Sequence, residues 1–255
     1  LIIPQHGGHL NKFNTHQDYT HGISNIILTS GIQSFKSKKK IALGIFNKEL
    51  KYKKWSKNGE ALIVTVAMPR YTDEIRSMAI SGQMIDYFSS IFKLYDGINK
   101  NIRNKTRIRL YHNDYNWRQK ERWESRFPSV KISNKKISFK KIVESSRVVI
   151  CTYNASVFLK TLAANVPTLI YWDENFWEIP KNYECDFKEL KSAGIYHNWR
   201  WFNSGRFQDR EGASHNFANI QPDLACATIV EILSKNYFFL FLKSCWHTWH
   251  SLFLA

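Results

Sequence analysis

The segment from Ser146 to Leu162 constrains the fold of this chain more than any other. Val148-Val149-Ile150-Cys151 is an unbroken apolar run dominated by β-branched residues. Such a run is the signature of a strand buried on both faces, as in a parallel sheet. Thr152-Tyr153-Asn154 interrupts it with polar residues, Asn154 suits an N-cap, and a helical pattern continues to Ala164. Asn165-Val166-Pro167 stops the helix, and Thr168-Leu169-Ile170-Tyr171-Trp172 supplies a second apolar strand. Strand, turn, helix and strand then form a right-handed crossover on a parallel sheet. Free amides and the positive end of a helix meet at the turn 152–156, where a phosphate is favoured. The functional reading depends on that corner being open to a ligand.

The neighbouring stretches repeat the alternation. Residues 61–67 are apolar and β-branched, and Met68-Pro69-Arg70-Tyr71 follows at their end. Ile80, Met84, Phe88, Ile91 and Phe92 recur at spacings of three and four, the stripe of a helix packed on a core. Residues 107–111 read as a strand with the polar exit His112-Asn113-Asp114-Tyr115. A helix from Trp117 to Phe127, a short strand at 130–132 and a short helix at 139–144 lead back to the central strand. Beyond Trp172, the loop 173–180 carries Asp173, Glu174 and Glu178, and a helix from Phe187 to Ala193 is closed by Gly194. A further amphipathic helix is expected at 224–233. The fold class is therefore α/β, a Rossmann-like parallel sheet with helices on both faces.

Residues 1–32, with strands at Leu1-Ile2-Ile3 and 23–31, read as the closing strands of a truncated N-terminal Rossmann-like domain. Residues 33–60 read as a linker and 61–236 as the second domain. The apolar tail 237–255 is interrupted by Lys243, His247 and His250. That pattern fits an interfacial segment or a foreign end better than a spanning helix.

Lys and Arg together number 37 against 21 Asp and Glu, a formal charge of +16, which favours anionic partners. The four cysteines have no CxxC spacing, which speaks for a reducing compartment without a disulfide framework. No GxGxxG follows a strand, no GxxxxGK[ST] or GxSxG occurs, and no His/Cys cluster has zinc spacing. No metal site is expected.

In open parallel sheets, ligands bind past the carboxyl ends of the strands. The expected exits carry Arg70, then His112 and Asp114, then Thr152, Tyr153, Asn154 and Ser156, then Glu178. Thr152, Asn154 and Ser156 suit a diphosphate, Arg70 its charge, and Glu178 a ribose or sugar hydroxyl. His6, before Gly7-Gly8, has an ordinary pKa close to neutrality and suits a general base.

Several of these segments resemble a known family, the transferases of bacterial O-antigen and surface-carbohydrate loci. The matching pieces are Pro4-Gln5-His6-Gly7-Gly8, the strand ending at Gly31, and Arg109-Leu110-Tyr111-His112-Asn113-Asp114-Tyr115 with Gln119-Lys120-Glu121-Arg122-Trp123. The most specific is Cys151-Thr152-Tyr153-Asn154-Ala155-Ser156 and its helix, with Asn165-Val166-Pro167-Thr168 behind it. The resemblance implies the C-terminal half of a GT-B glycosyltransferase fold. It places His6 at an interdomain cleft as catalytic base, and the donor nucleotide against the turn 152–156. It implies a nucleotide-activated sugar as donor substrate, with no other cofactor, and a membrane-linked glycan as acceptor. The expected location is cytoplasmic, peripheral at the inner face of the plasma membrane and touching anionic lipid, with no nucleic-acid partner. Without an acceptor domain, the chain alone is expected to be inactive. The rival readings are a basic nucleic-acid-binding module and an inactive truncated product.

Overall fold

The computed structural model describes residues 1–4, 19, 22–29, 40–42, 50, 58–72 and 77–198. Two parallel sheets occur among them. The first joins β1 (Ile2–Pro4), β2 (Ile26–Thr29) and β3 (Lys40–Ala42) in that order. Its third strand falls inside 33–60, the stretch read as a linker. The second contains β4 (Glu60–Val64), β5 (Thr106–Arg109), β6 (Lys131–Ile132), β7 (Ser146–Cys151), β8 (Thr168–Trp172) and β9 (Tyr196–Asn198). Its order is β6-β5-β4-β7-β8-β9, parallel at every pairing.

The helices between these strands are α1 (Gln83–Gly97), α2 (Lys100–Arg103), α3 (Gln119–Arg126), α4 (Phe139–Ser145), α5 (Ser156–Ala163) and α6 (Glu184–Ser192). Connections from β4 run outward in one direction and those from β7 in the other. Because such crossovers are right-handed, the two sets of helices cover opposite faces. That cover explains the residue choice: every residue of β7 and β8 is buried, and β4 is buried from Ala61 on.

α1 buries the expected stripe, with Met84, Phe88, Ile91 and Phe92, and adds Tyr87, Leu94 and Tyr95. Phe92, Tyr95, Trp123 and Phe127 meet edge to face, their ring centroids 4.8–6.1 Å apart. Edge-to-face contact is the favoured geometry for aromatic quadrupoles. Trp123 and Phe127 thus share one side of α3, as the sequence predicts.

Three local departures have clear causes. The strand expected through Ala67 ends at Val64, because the Val66 amide leaves the ladder and donates to the Tyr87 hydroxyl at 2.9 Å. α3 starts at Gln119, because Asp114 accepts from the Arg118 and Gln119 amides at 2.8 Å each and Arg118 stands at φ 51°. α5 is capped by Ala155, not Asn154: Ala155 is extended, while Asn154 is only 1% exposed and faces the interior. The far end of α5 follows expectation. Asn165 sits at φ 55°, its amide donates to Leu162 O and the Val166 amide to Thr161 O, both at 2.9 Å. These paired bonds form the left-handed closure that stops a helix. Gly194, at φ 70°, closes α6 in the same way.

His197 on β9 is buried, and its Nε2 lies 3.0 Å from Gly194 O, so Nε2 carries the proton. Burial pulls its pKa below 6.5, outweighing the favourable Gly194 contact. The unfolded chain therefore binds the proton more readily, and stability is present above pH 6.5 and lost as the pH falls below it. Thermal melting between pH 8 and pH 5 is expected to decline more steeply for the native chain than for His197→Gln. Parallel curves would exclude this linkage.

Among the described residues, no helix is long and apolar enough to cross a membrane. The helix expected at 224–233 and the tail 237–255 lie outside the described residues.

Candidate functional site

The strand order reverses between β4 and β7, which are neighbours in the sheet with their connections leaving in opposite directions. Loops diverge at such a point, and the crevice beyond the carboxyl ends is where doubly wound sheets take their ligands. The loop after β4 carries Arg70, and the turn after β7 carries Thr152 to Ser156. The exit of β5 carries His112 and Asp114, and the exit of β8 carries Glu178. The topology thus brings these residues to one edge of the sheet. His6 lies outside the described residues.

The floor beneath this reversal is a one-way chain of hydrogen bonds. Thr152 Oγ1 donates to Val64 O at 2.8 Å, and it lies 2.7 Å from the Tyr87 hydroxyl. A carbonyl can only accept, so the Thr152 proton is committed and Tyr87 must be the donor to Thr152. Tyr87 in turn accepts from the Val66 amide. Burial pushes the Tyr87 phenol far above its usual pKa, so it keeps its proton. These bonds tie α1, the β4 exit and the β7 exit together. Thr152 thereby stands in the floor, with its hydroxyl engaged.

The turn above the floor is layered. Thr152 and Asn154 are each 1% exposed, whereas Tyr153 and Ser156 are half-buried. Burial, with Cys151, Tyr87 and Tyr111 nearby, raises the Tyr153 phenol, so it too is a donor at neutral pH. Ser156 is the first residue of α5, whose opening amides have no partner within the helix. The corner therefore leaves Ser156 partly exposed, buries the Tyr153 hydroxyl, and turns Thr152 and Asn154 inward.

Arg70 is exposed, and its guanidinium lies 4.9 Å from the centre of the Trp117 ring. Trp117 is buried and donates from Nε1 to Met68 O at 2.6 Å, which fixes the β4 exit against the β5 exit. Ser81 Oγ also donates to Arg70 O, at 3.0 Å. Arg70 is thus held at the rim by a cation–π contact and its own main chain.

The other candidates divide. His112 is exposed and its ring lies against Tyr111, with 4.3 Å between centroids. Asp114 is taken up in holding the start of α3. Burial opposes its charge, but the Gln119 and Arg118 amides outweigh that and keep the carboxyl below its usual pKa. Glu178 is half-buried in the loop after β8. In that loop Glu174 Oε1 accepts from the Tyr196 hydroxyl at 2.7 Å and Asp173 Oδ1 from the Asn175 amide at 2.8 Å. Sequence reasoning passed over Tyr87 and Trp117, which tie the strand exits together. The signal for Tyr87 was a hydroxyl on a ring within an apolar stripe, which needs a buried partner; Trp117 stands among polar residues and carried no such signal.

The six-stranded sheet is thus doubly wound and parallel, an α/β domain with the amino end of α5 beside its reversal. The chain belongs to the LIC12162 family of transferases, whose pattern matches residues 1–199. No curated protein matches it. Among solved structures it is similar to the glycotransferase of kitacinnamycin, at 12% identity and a TM-score of 0.46, over 90% of this chain and 52% of that one. It is also similar to the spinosyn forosaminyltransferase SpnP, at 9% identity and a TM-score of 0.44, over 90% of this chain and 50% of that one. The calicheamicin glycosyltransferase CalG4 gives 8% identity and a TM-score of 0.42, over 91% and 51%. The chain spans about half the length of these solved structures.

Proposed function

We propose that this chain is the donor-binding half of a GT-B-type glycosyltransferase. It would move a glycosyl group from a nucleotide-activated donor to a surface-polysaccharide acceptor of the O-antigen type. The observation that supports this most is the reversal of strand order at the amino end of α5, within a chain of a transferase family. The donor diphosphate rests on Ser156 and the first amides of α5. Arg70 offsets its charge, and Glu178 takes a sugar or ribose hydroxyl. His6 removes the proton of the acceptor hydroxyl, whose oxygen attacks the anomeric carbon. The bond to the diphosphate breaks, and the diphosphate leaves with the electron pair, stabilised by the helix end and Arg70. The charge of +16 suits an acceptor held at an anionic membrane surface. Among the described residues, the placement of the tryptophans does not favour the nucleic-acid reading. Trp117, Trp123, Trp172 and Trp177 are all buried in the core and offer no stacking face.

Ser156→Pro tests the helix end. Proline is tolerated at the first helical position, where it removes one amide and here one hydroxyl. Ala155, at φ −153° and ψ −170°, already has the extended backbone that a residue before proline needs. Thermal shifts of the full chain with UDP-, CMP-, GDP- and CDP-linked sugars are expected to single out one nucleotide class. Ser156→Pro should weaken its binding at least about tenfold, since one hydrogen bond to a charged group is worth about that much and two donors are removed. Unchanged binding by the variant would sink the assignment of the diphosphate to α5.

A further inference from the structure

The two arginines of β5 differ in a way the fold does not require. Arg107 and Arg109 are two residues apart and so share a face of the strand. Arg107, at the amino end, is paired: its Nε lies 2.7 Å from Glu60 Oε2, and Lys131 of β6 reaches the same carboxylate at 3.1 Å. Arg109, at the carboxyl end, is half-buried and has no carboxylate within ion-pair distance among the described residues. One of its five N–H donors goes to Asn134 O, at 3.0 Å. The next residue after that carbonyl, Lys135, reaches back to the β5 exit and donates from Nζ to His112 O at 3.3 Å. It makes no ion pair at contact distance among the described residues, although it acts on the ionised Asp114 from farther off and helps to hold that carboxyl below its usual pKa. Burial pulls the Arg109 guanidinium below its usual pKa, an unfavourable state for a cation with no counter-charge.

We propose that Arg109 and Lys135, at the seam between the β5 and β6 exits, form a second phosphoryl-binding site on the ligand edge of the sheet. Two or three strands separate it from α5, about 10–14 Å at the usual strand spacing. One diphosphate cannot reach both places. The group bound here is a phosphoryl of a separate molecule or of the far end of a long one. A lipid-linked acceptor and a further phosphate on the nucleotide are the two sources. The site stands on its own observations and does not depend on the donor being a sugar nucleotide.

Calorimetric titration of the full chain with pyrophosphate tests it. Two binding events are expected for the native chain. Arg109→Gln and Lys135→Gln should each weaken one of them about tenfold or more, while Arg109→Lys should retain part of it. Ser156→Pro should affect the other event alone, so the two sites fail or succeed separately. Lys131→Gln removes the same charge at the opposite end of β6 and should leave both events in place. Circular dichroism of each variant controls for folding. Competition by farnesyl diphosphate at the Arg109 event points to a lipid-linked acceptor, and competition by nucleoside triphosphates points to the nucleotide. Unaltered pyrophosphate binding in a folded Arg109→Gln/Lys135→Gln chain, or an equal loss in Lys131→Gln, overturns the proposal.

Discussion

Replacing Gly59 with alanine is expected to lower the melting temperature by about 6–12 °C, or to leave the chain insoluble on expression. A Cβ at this position would lie 2.6 Å from both Arg147 N and Ser145 O and 2.8 Å from the Ser146 carbonyl carbon. All three are backbone atoms of the entry to β7, so no side chain can swing away. The close approach has a cause in the sheet. Glu60 pairs with Ser146 but Ala61 pairs with Val148, so β7 carries an extra residue, Arg147, opposite that step. The bulge presses the β7 backbone toward the start of β4, and only a residue without Cβ fits between them. Overpacking against a rigid backbone costs about 3 kcal/mol, the upper end of the usual range, and a chain of this size loses about 2–4 °C per kcal/mol. Gly82→Ala is the control. Nothing lies within 4 Å of its Cβ position and its backbone is already helical, so it should melt with the native chain. A Gly59→Ala chain that melts normally would show that β4 and β7 do not approach in this way.

Tyr87→Phe should be nearly as damaging, about 3 kcal/mol. The ring stays in place against Trp177, 5.2 Å between centroids, so packing is kept and hydrogen bonding alone is lost. The Val66 amide loses its acceptor, and Thr152 loses the donor to its oxygen, both in a buried setting. A stranded buried polar group costs about 1–3 kcal/mol. Thr152→Val breaks the same chain from the other side, while Thr152→Ser preserves it. The double variant Tyr87→Phe/Thr152→Val should therefore cost clearly less than the two single losses together, as expected for groups in one network. Strict additivity in urea unfolding would refute the directed chain of hydrogen bonds.

The central unit from β7 to β8 was legible because its signals are local. The apolar run, the left-handed Asn165 and Pro167 act within a few residues, and neither strand has a polar face to confuse the reading. The stripe of α1 was legible for the same reason. The strand order was not, because pairing β4 with β7 joins residues more than eighty positions apart. The cap at Ala155 was misread because Asn154 is a good capping residue by type. Its burial, a property of the packed turn, overrode that preference. Among the site candidates, Ser156 and Arg70 stand where the sequence placed them, at exits. Thr152 and Asp114 are also at exits, but each is drawn into the scaffold by a partner that only the fold supplies, Tyr87 in one case and the amides of Arg118 and Gln119 in the other. Arg109 was read as part of a strand. Its lack of a counter-charge emerges only beside Arg107, which has one.

The directed bonds among Val66, Tyr87, Thr152 and Val64 have one more result. Each proton there is already assigned, so this platform has no side-chain donor left to offer. Under the proposed function, discrimination between ligands would therefore fall to the loops above this platform.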